Sequence, residues 1–258
     1  MTKQDADTWL ITRPALLELL DGAVPGSVRR ERCHVDDAHA LDGDLVVAAD
    51  GARSVVRAAV WGDAPRDTGA AAIRGVLPTP PDTPLDRMHE FWGGGRLFGF
   101  GPNPMSHGTG TNWYASTRRH PEPPEDALAW ALEAYADFPA AVGAVLAGAT
   151  PERTVVNTIL ESRHSGTLVK GRYVLVGDAA HAMSPNLGRG ACDAMADAVA
   201  LGEALNAHGL DGVRRYDKER LRPGQRARAA AAVARRLALS DRVGRVVGLA
   251  GAARAQLS

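Results

Sequence analysis

The chain has 258 residues, of which 45% are apolar and 23% charged, with 30 basic side chains against 30 acidic ones. That length allows one large domain or two small ones around a sizeable core. A formal net charge of zero gives no global attraction to nucleic acid or anionic lipid, and two cysteines, Cys33 and Cys192, cannot make a disulfide framework.

The start, MTKQDADTWL, has no basic segment followed by an apolar one, and no apolar stretch reaches the roughly 18 residues that span a bilayer. A soluble cytoplasmic protein with reduced thiols is therefore expected, with a small molecule as its partner and neither nucleic acid nor membrane.

Thr12 followed by Pro14 predicts a helix start, and Leu16, Leu17, Leu19 and Leu20 give it an apolar face that ends near Gly22. Val28 to Val35 is a weak strand candidate, weakened by its charges. Leu45 to Ala49 is a continuous apolar run between Asp-Gly turns, the pattern of a buried parallel strand. Residues 61–110 are dense in Pro and Gly, and FWGGGRLFGFGPNP has the texture of twisted strands. NWYAS reads as a further strand. A helical stretch over 125–147 is broken by Pro139, and Val155 to Leu160 is a strand.

Tyr173 to Val176 is a short apolar run ending in Gly177-Asp178, followed by a small-residue loop and a Gly-rich entry into an alanine-rich helix. Beyond Asp211 the chain reads as helices, the first stopping at Pro223. Residues 211–258 hold 12 Lys/Arg against 4 Asp/Glu. Without interleaved aromatics this is read as a solvated helix face rather than a nucleic-acid surface.

Two motifs carry chemistry. In the first, Asp50-Gly51-Ala52-Arg53-Ser54-Val55-Val56-Arg57 follows the strand LVVAA, so a carboxylate, a glycine, a hydroxyl and an arginine meet at a strand's carboxyl end, where open α/β sheets hold ligands. Ser54 is placed to cap the next helix, and Arg57 to pair with Asp50 or a phosphate. A plain capped turn with a surface ion pair accounts for the same residues equally well.

In the second motif Asp178 can accept bonds from ligand hydroxyls, and Pro185 stiffens the loop. Gly188 and Gly190 admit a flat ring close to backbone, and the helix from Gly190 aims its positive end at the ligand. Gly188 to Asp193 is a poor match to GxGxxG, since Asp193 holds the third glycine position, and the sequence contains no convincing element of that type. His181 is read as a packing or hydrogen-bonding histidine ahead of a titrating one, and Cys192 as a small buried residue. The cluster His34, Asp36, Asp37 and His39 is read as a solvated loop, so no metal site is assigned. Trp92, Phe98, Phe100 and Trp113 suit a flat substrate and an ordinary core alike. No side chain is assigned as a catalytic acid or base.

DLVVAADGARSVVR and GRYVLVGDAAHAMSPNLGRGACDAMADAV, in that order, resemble the DG and GD motifs of the single-component FAD-dependent monooxygenases of the p-hydroxybenzoate hydroxylase type. ITRPALLELL is similar to the family segment whose arginine approaches FAD, and HEFWGGGRLFGFGPNPMSHGTGTNWYAST to strands of its substrate domain.

The resemblance implies FAD as cofactor, NADPH or NADH as reductant, and hydroxylation of a small aromatic or polyketide-like substrate with one oxygen atom of O2. Asp178, preceded by Gly177, would bind the ribityl hydroxyls. Pro185, Gly188, Arg189 and Gly190 would line the isoalloxazine ring. Asp50, Gly51 and Arg57 would serve the pyrophosphate side and the approach of NAD(P)H, and Arg13 would lie near the phosphates or ribityl chain.

The implied fold class is α/β. A partial Rossmann-like FAD-binding domain comprises 1–60 and 166–210, a mixed-sheet substrate domain is inserted at 61–165, and 211–258 form a helical tail. The family's GxGxxG unit is not recognised here, so a homodimer or a partner supplying that unit is expected. The competing reading is a truncated, non-catalytic flavoprotein fragment or interaction module unable to hold FAD alone.

Overall fold

The protein is described by a computed structural model, which covers residues 2–4, 8–78, 87–105, 108–118, 126–241 and 247–250. In chain order the regular elements are β1 (Thr2–Gln4), β2 (Thr8–Leu10), α1 (Arg13–Ala23), β3 (Val46–Ala48), β4 (Arg66–Leu77), β5 (His89–Gly93), β6 (Arg96–Met105) and β7 (Gly108–Arg118). There follow α2 (Ala127–Ala134), α3 (Ala140–Ala147), β8 (Thr154–Glu161), β9 (Val169–Lys170), β10 (Tyr173–Leu175), α4 (Asp178–His181), α5 (Gly190–His208), α6 (Gly212–Ala238) and β11 (Val247–Ala250). The chain divides into two compact units, residues 1–32, 70–158 and 238–258, and residues 33–69 and 159–237. This partition differs from the expected domains: residues 1–32 group with the larger sheet, and most of the expected tail groups with the second motif.

The first unit is built on a sheet of order β11-β5-β6-β7-β4-β8, antiparallel from β11 through β4. Strand alternation sends Ile73, Phe98 and Ala115, cross-strand neighbours, into one core with α2 and α3. Phe100 and Trp113 enter it one row on, and Trp113 needs Gly75 beside it, because a Cβ there would sit 2.6 Å from the indole. Phe98, Phe100 and Trp113 are fully buried, so of their two readings the structure gives the core. Trp92 stands apart, half-buried, and its indole donates to Glu90.

The α1 helix forms as its signals predict: Thr12 caps Ala15, and Pro14 lies in the first turn. Its leucines Leu17, Leu19 and Leu20 are exposed. Residues 28–35 form no strand; their charged side chains lie exposed and leave no face to bury. Pro139 separates α2 from α3 as expected.

The second unit holds the sheet β3-β10-β9, with β3 parallel to β10 and β9 antiparallel to it. Val174, Leu175, Ala200, Leu201, Ala204 and Tyr216 make its core with Ala48 and Val56. The expected stop at Pro223 does not occur, and α6 runs through it to Ala238. Burial of one face of this long helix outweighs the single backbone bond that proline removes.

Candidate cofactor-binding site

Because β3 and β10 are parallel neighbours, with Ala48 opposite Leu175, the two sequence motifs leave the sheet at the same edge. This is the carboxyl edge, where ligands of open α/β sheets lie.

After β3, Gly51 turns the chain with φ of +83°. Asp50 then accepts the Val55 and Val56 amides at 2.8 and 3.3 Å through one carboxylate oxygen, and the Ser54 hydroxyl caps Arg57 at 2.9 Å. Arg57 is 2% exposed. Its partner is Asp63, bound in bidentate fashion at 2.6 and 2.9 Å, and not Asp50. The other donors reach the carbonyls of Ala179, Ala180 and Arg163 at 3.0, 2.7 and 3.0 Å. All five guanidinium N–H groups are thus occupied within the protein, so Arg57, expected on the pyrophosphate side, ties the first motif to the second and keeps no donor for a ligand.

After β10, Gly177 takes φ +57° and ψ −136°, a backbone region open to glycine alone, and a Cβ there would come within 3.1 Å of the Ala194 methyl. That bend presents Asp178 at the surface at the head of α4, while Gly177, Ala179, Ala180 and His181 are buried. Among the described residues no side chain or amide bonds the Asp178 carboxylate. Pro185 opens a 3-10 turn that Gly188 ends at φ +64°, with open space where its Cβ would be. Gly190 starts α5 without any side-chain cap, and its Cβ position is 3.9 Å from Asp178 Oδ1. A free carboxylate therefore faces the amide-rich start of a 19-residue helix across a loop cleared by glycine. Arg189 is exposed and leans on Asp193 at 3.4 Å. Arg13 is exposed at the first position of α1 and belongs to the other unit.

Behind the loop lies a set of buried ions that the motifs do not reveal. Asp197 is fully buried and accepts from the Gly177 amide at 2.8 Å, His181 Nε2 at 2.6 Å and Arg220 Nε at 2.7 Å. Burial alone would raise its carboxyl, yet hydrogen bonding and attraction to His181, with the Arg220 and Gly177 bonds, hold it below the ordinary carboxylate range. Glu161, also fully buried, accepts from Ser184 at 2.6 Å, Arg66 at 2.7 Å and Arg235 at 3.2 Å. Burial again opposes ionisation, and again Ser184, Arg66 and Arg235 outweigh it, leaving this carboxyl lowered too. His181 is the packing, hydrogen-bonded residue that was expected, whereas Cys192 is exposed rather than buried. The sequence did carry one signal for the network: Asp193 and Asp197 fall on the helix face of Ala200, Leu201 and Ala204, where carboxylates require partners.

Residues 23–232 match the family described as FAD binding domain. The chain is 36% identical over 197 residues to 2-heptyl-3-hydroxy-4(1H)-quinolone synthase of Pseudomonas aeruginosa, covering 72% of this chain and 48% of that protein. It is 35% identical over 175 residues to aurachin C monooxygenase/isomerase of Stigmatella aurantiaca, covering 66% and 44%. The chain thus spans about half the length of these relatives. The crystal structure of Klebsiella pneumoniae HpxO complexed with FAD and uric acid superposes with a TM-score of 0.69 at 27% identity, covering 77% of this chain and 52% of that one. With a family match running from before β3 to within α6, the chain belongs to the FAD-binding-domain family.

Proposed function

We propose that this chain forms the flavin-facing half of an FAD site in an NAD(P)H-dependent monooxygenase, which inserts one oxygen atom of O2 into a small aromatic or polyketide-like molecule. The observation that carries the reading is Asp178: an exposed carboxylate without a protein partner, beside the uncapped start of α5 and between glycines whose missing side chains leave room for a flat ring. FAD, when bound, supplies the redox chemistry.

The chain's own residues bind and orient. Asp178 accepts from ribityl hydroxyls, and the backbone of Pro185, Gly188, Arg189 and Gly190 lies along the ring. Asp50 and Gly51 border the pyrophosphate side. Arg57 acts by holding the two motifs together. A segment outside these 258 residues, of this or of a partner chain, is proposed to meet the adenosine half. The quinolone and uric acid named for relatives favour a flat, nitrogen-containing ring as substrate. A cytoplasmic setting belongs to the same proposal, supported by two exposed free cysteines; no described helix is long and apolar enough to cross a membrane.

Titration of the purified chain with FAD and with FMN, which lacks the adenosine half, followed by flavin fluorescence, tests the assignment. Both are expected to bind, and Asp178→Ala to raise both dissociation constants about tenfold or more, since bonds to a charged acceptor contribute about 1.5–3 kcal/mol. Wild-type chain that binds neither flavin refutes the proposal, and an unchanged Asp178→Ala constant refutes the ribityl anchor.

A further inference from the structure

The helix α6 presents one face to the buried ions and the strand end that flank the Asp178 loop. Tyr216 donates to the carbonyl of Leu175, the last residue of β10, at 2.7 Å. One turn on, Arg220 bonds Asp197, which in turn holds the Gly177 amide and the His181 ring. A further turn on, Gly224 lies against that ring, so closely that a Cβ would be 2.8 Å from His181 Cδ2. Three turns later Arg235 donates to both Glu161 and Ser184, at 3.2 and 3.0 Å. The spacing from 216 to 220 to 224 is one helical face, and Arg220 and Arg235 lie roughly 22 Å apart along the axis.

The two ends of the loop, Gly177 and Ser184, are thereby referred to a single rigid rod. Between them, the carbonyls of Ala179 and Ala180 are held by Arg57, and that of Ala182 by the Ser162 amide at 2.9 Å. Among the described residues the Asp178 carboxylate, at the outward bend, has no partner in this scheme, and inside the loop His181 Nδ1 is buried without one.

We propose that α6 is a brace for the cofactor loop, with Arg220 and Arg235 as positioning residues that set the direction of Asp178 through Asp197 and Glu161. This rests on the reading of Asp178 as a flavin anchor. Among the described arginines of α6, Arg222 and Arg226 are exposed to solvent, whereas Arg220 and Arg235 turn inward and act on the loop.

The test compares Arg220→Gln and Arg235→Gln with Arg222→Gln, an exposed change on the same helix, and with Val145→Ala, a core change in the other unit that lowers stability without touching the loop. FMN affinity and amide exchange over residues 177–184 are measured on each. The two brace variants are expected to weaken FMN tenfold or more and to speed loop exchange, with Arg220→Lys recovering part of both; Arg222→Gln and Val145→Ala leave both at wild-type values. Wild-type affinity and wild-type loop exchange in the glutamine variants overturn the brace.

If the wild-type chain binds no flavin, the functional proposal fails separately, and loop exchange alone decides the brace: no acceleration overturns it. Should the glutamine variants not fold, Arg220→Lys and Arg235→Lys carry the comparison, and unchanged loop exchange in both overturns it.

Discussion

Replacing Arg57 by methionine separates two roles that the sequence leaves mixed. Methionine keeps the aliphatic stem and removes the guanidinium. Asp63, with only 19% of its side chain exposed, then loses a bidentate cation, and the carbonyls of Ala179, Ala180 and Arg163 lose their donor. Breaking a buried pair by removing one partner costs about 3–5 kcal/mol, because an uncompensated charge stays behind. The buried carbonyls of Ala179 and Ala180 keep the loss at the upper part of that range, since each unmet buried acceptor adds a desolvation penalty. For a unit of this size the change corresponds to a fall of about 10 °C or more in melting temperature. Urea and thermal unfolding monitored by circular dichroism measure it directly. Arg57→Lys retains the charge but not the planar fork, so it recovers only a minor share. A loss below about 1 kcal/mol in Arg57→Met, together with a large loss of flavin affinity, would show Arg57 to be a ligand arm and refute the clasp.

The aromatic residues of the larger sheet yield a second expectation: Phe98→Ala lowers stability by about 3–5 kcal/mol in urea unfolding while flavin affinity per folded molecule is unchanged, as its ring is fully buried against Trp113 at a centroid distance of 5.6 Å. Acid titration gives a third. The Asp197 and Glu161 carboxyls are both held below their reference values of 3.8 and 4.5, so the unfolded chain binds the proton more readily. Their contribution is fully present above about pH 5 and is lost as pH falls through the reference values and on toward the lowered native ones. Urea midpoints measured between pH 6 and 3 are therefore expected to fall on acidification, and Asp197→Asn to flatten that slope while lowering the plateau.

Much of this molecule can be read from its residues, for reasons that are local. Thr12-x-Pro predicts the start of α1 because cap and first-turn proline act within one turn. The apolar run 45–49 and the run 173–176 announce two parallel strands, of which β10 is buried along its length while β3, expected to be buried as well, leaves Val47 exposed because only one face of it is covered; the turns after them announce a shared edge. Ser54 as a cap is equally local. What escapes is set by partners distant in sequence. Nothing near Arg57 distinguishes Asp63 from Asp50, since both are within reach; only the fold, which brings the Ala179 and Ala180 carbonyls to its other side, decides. Phe98 and Trp113 alternate as any half-buried strand does, and which face α2 and α3 cover is a tertiary fact. Pro223 signals a helix end locally, but Tyr216 and Arg235, on either side of it, are both anchored on one face, and the helix continues.

The three aspartates of the second motif show how one side-chain type acquires three roles. Asp193 and Asp197 lie four residues apart on the inner face of α5, where a lone carboxylate would be costly, and each meets Arg220. Asp178 has the same chemistry at the one bend where glycine geometry turns the side chain outward, and the neighbours that could neutralise it are already engaged: Arg220 with Asp197, Arg57 with Asp63, Arg189 with Asp193. A protein selected for stability alone would gain by pairing an exposed acid with one of these three cations. The arrangement instead assigns these three arginines to other carboxylates and leaves Asp178 with its acceptor sites open. That pattern follows if the bond Asp178 is meant to make is to hydroxyls of a bound molecule, for which a neighbouring guanidinium would compete.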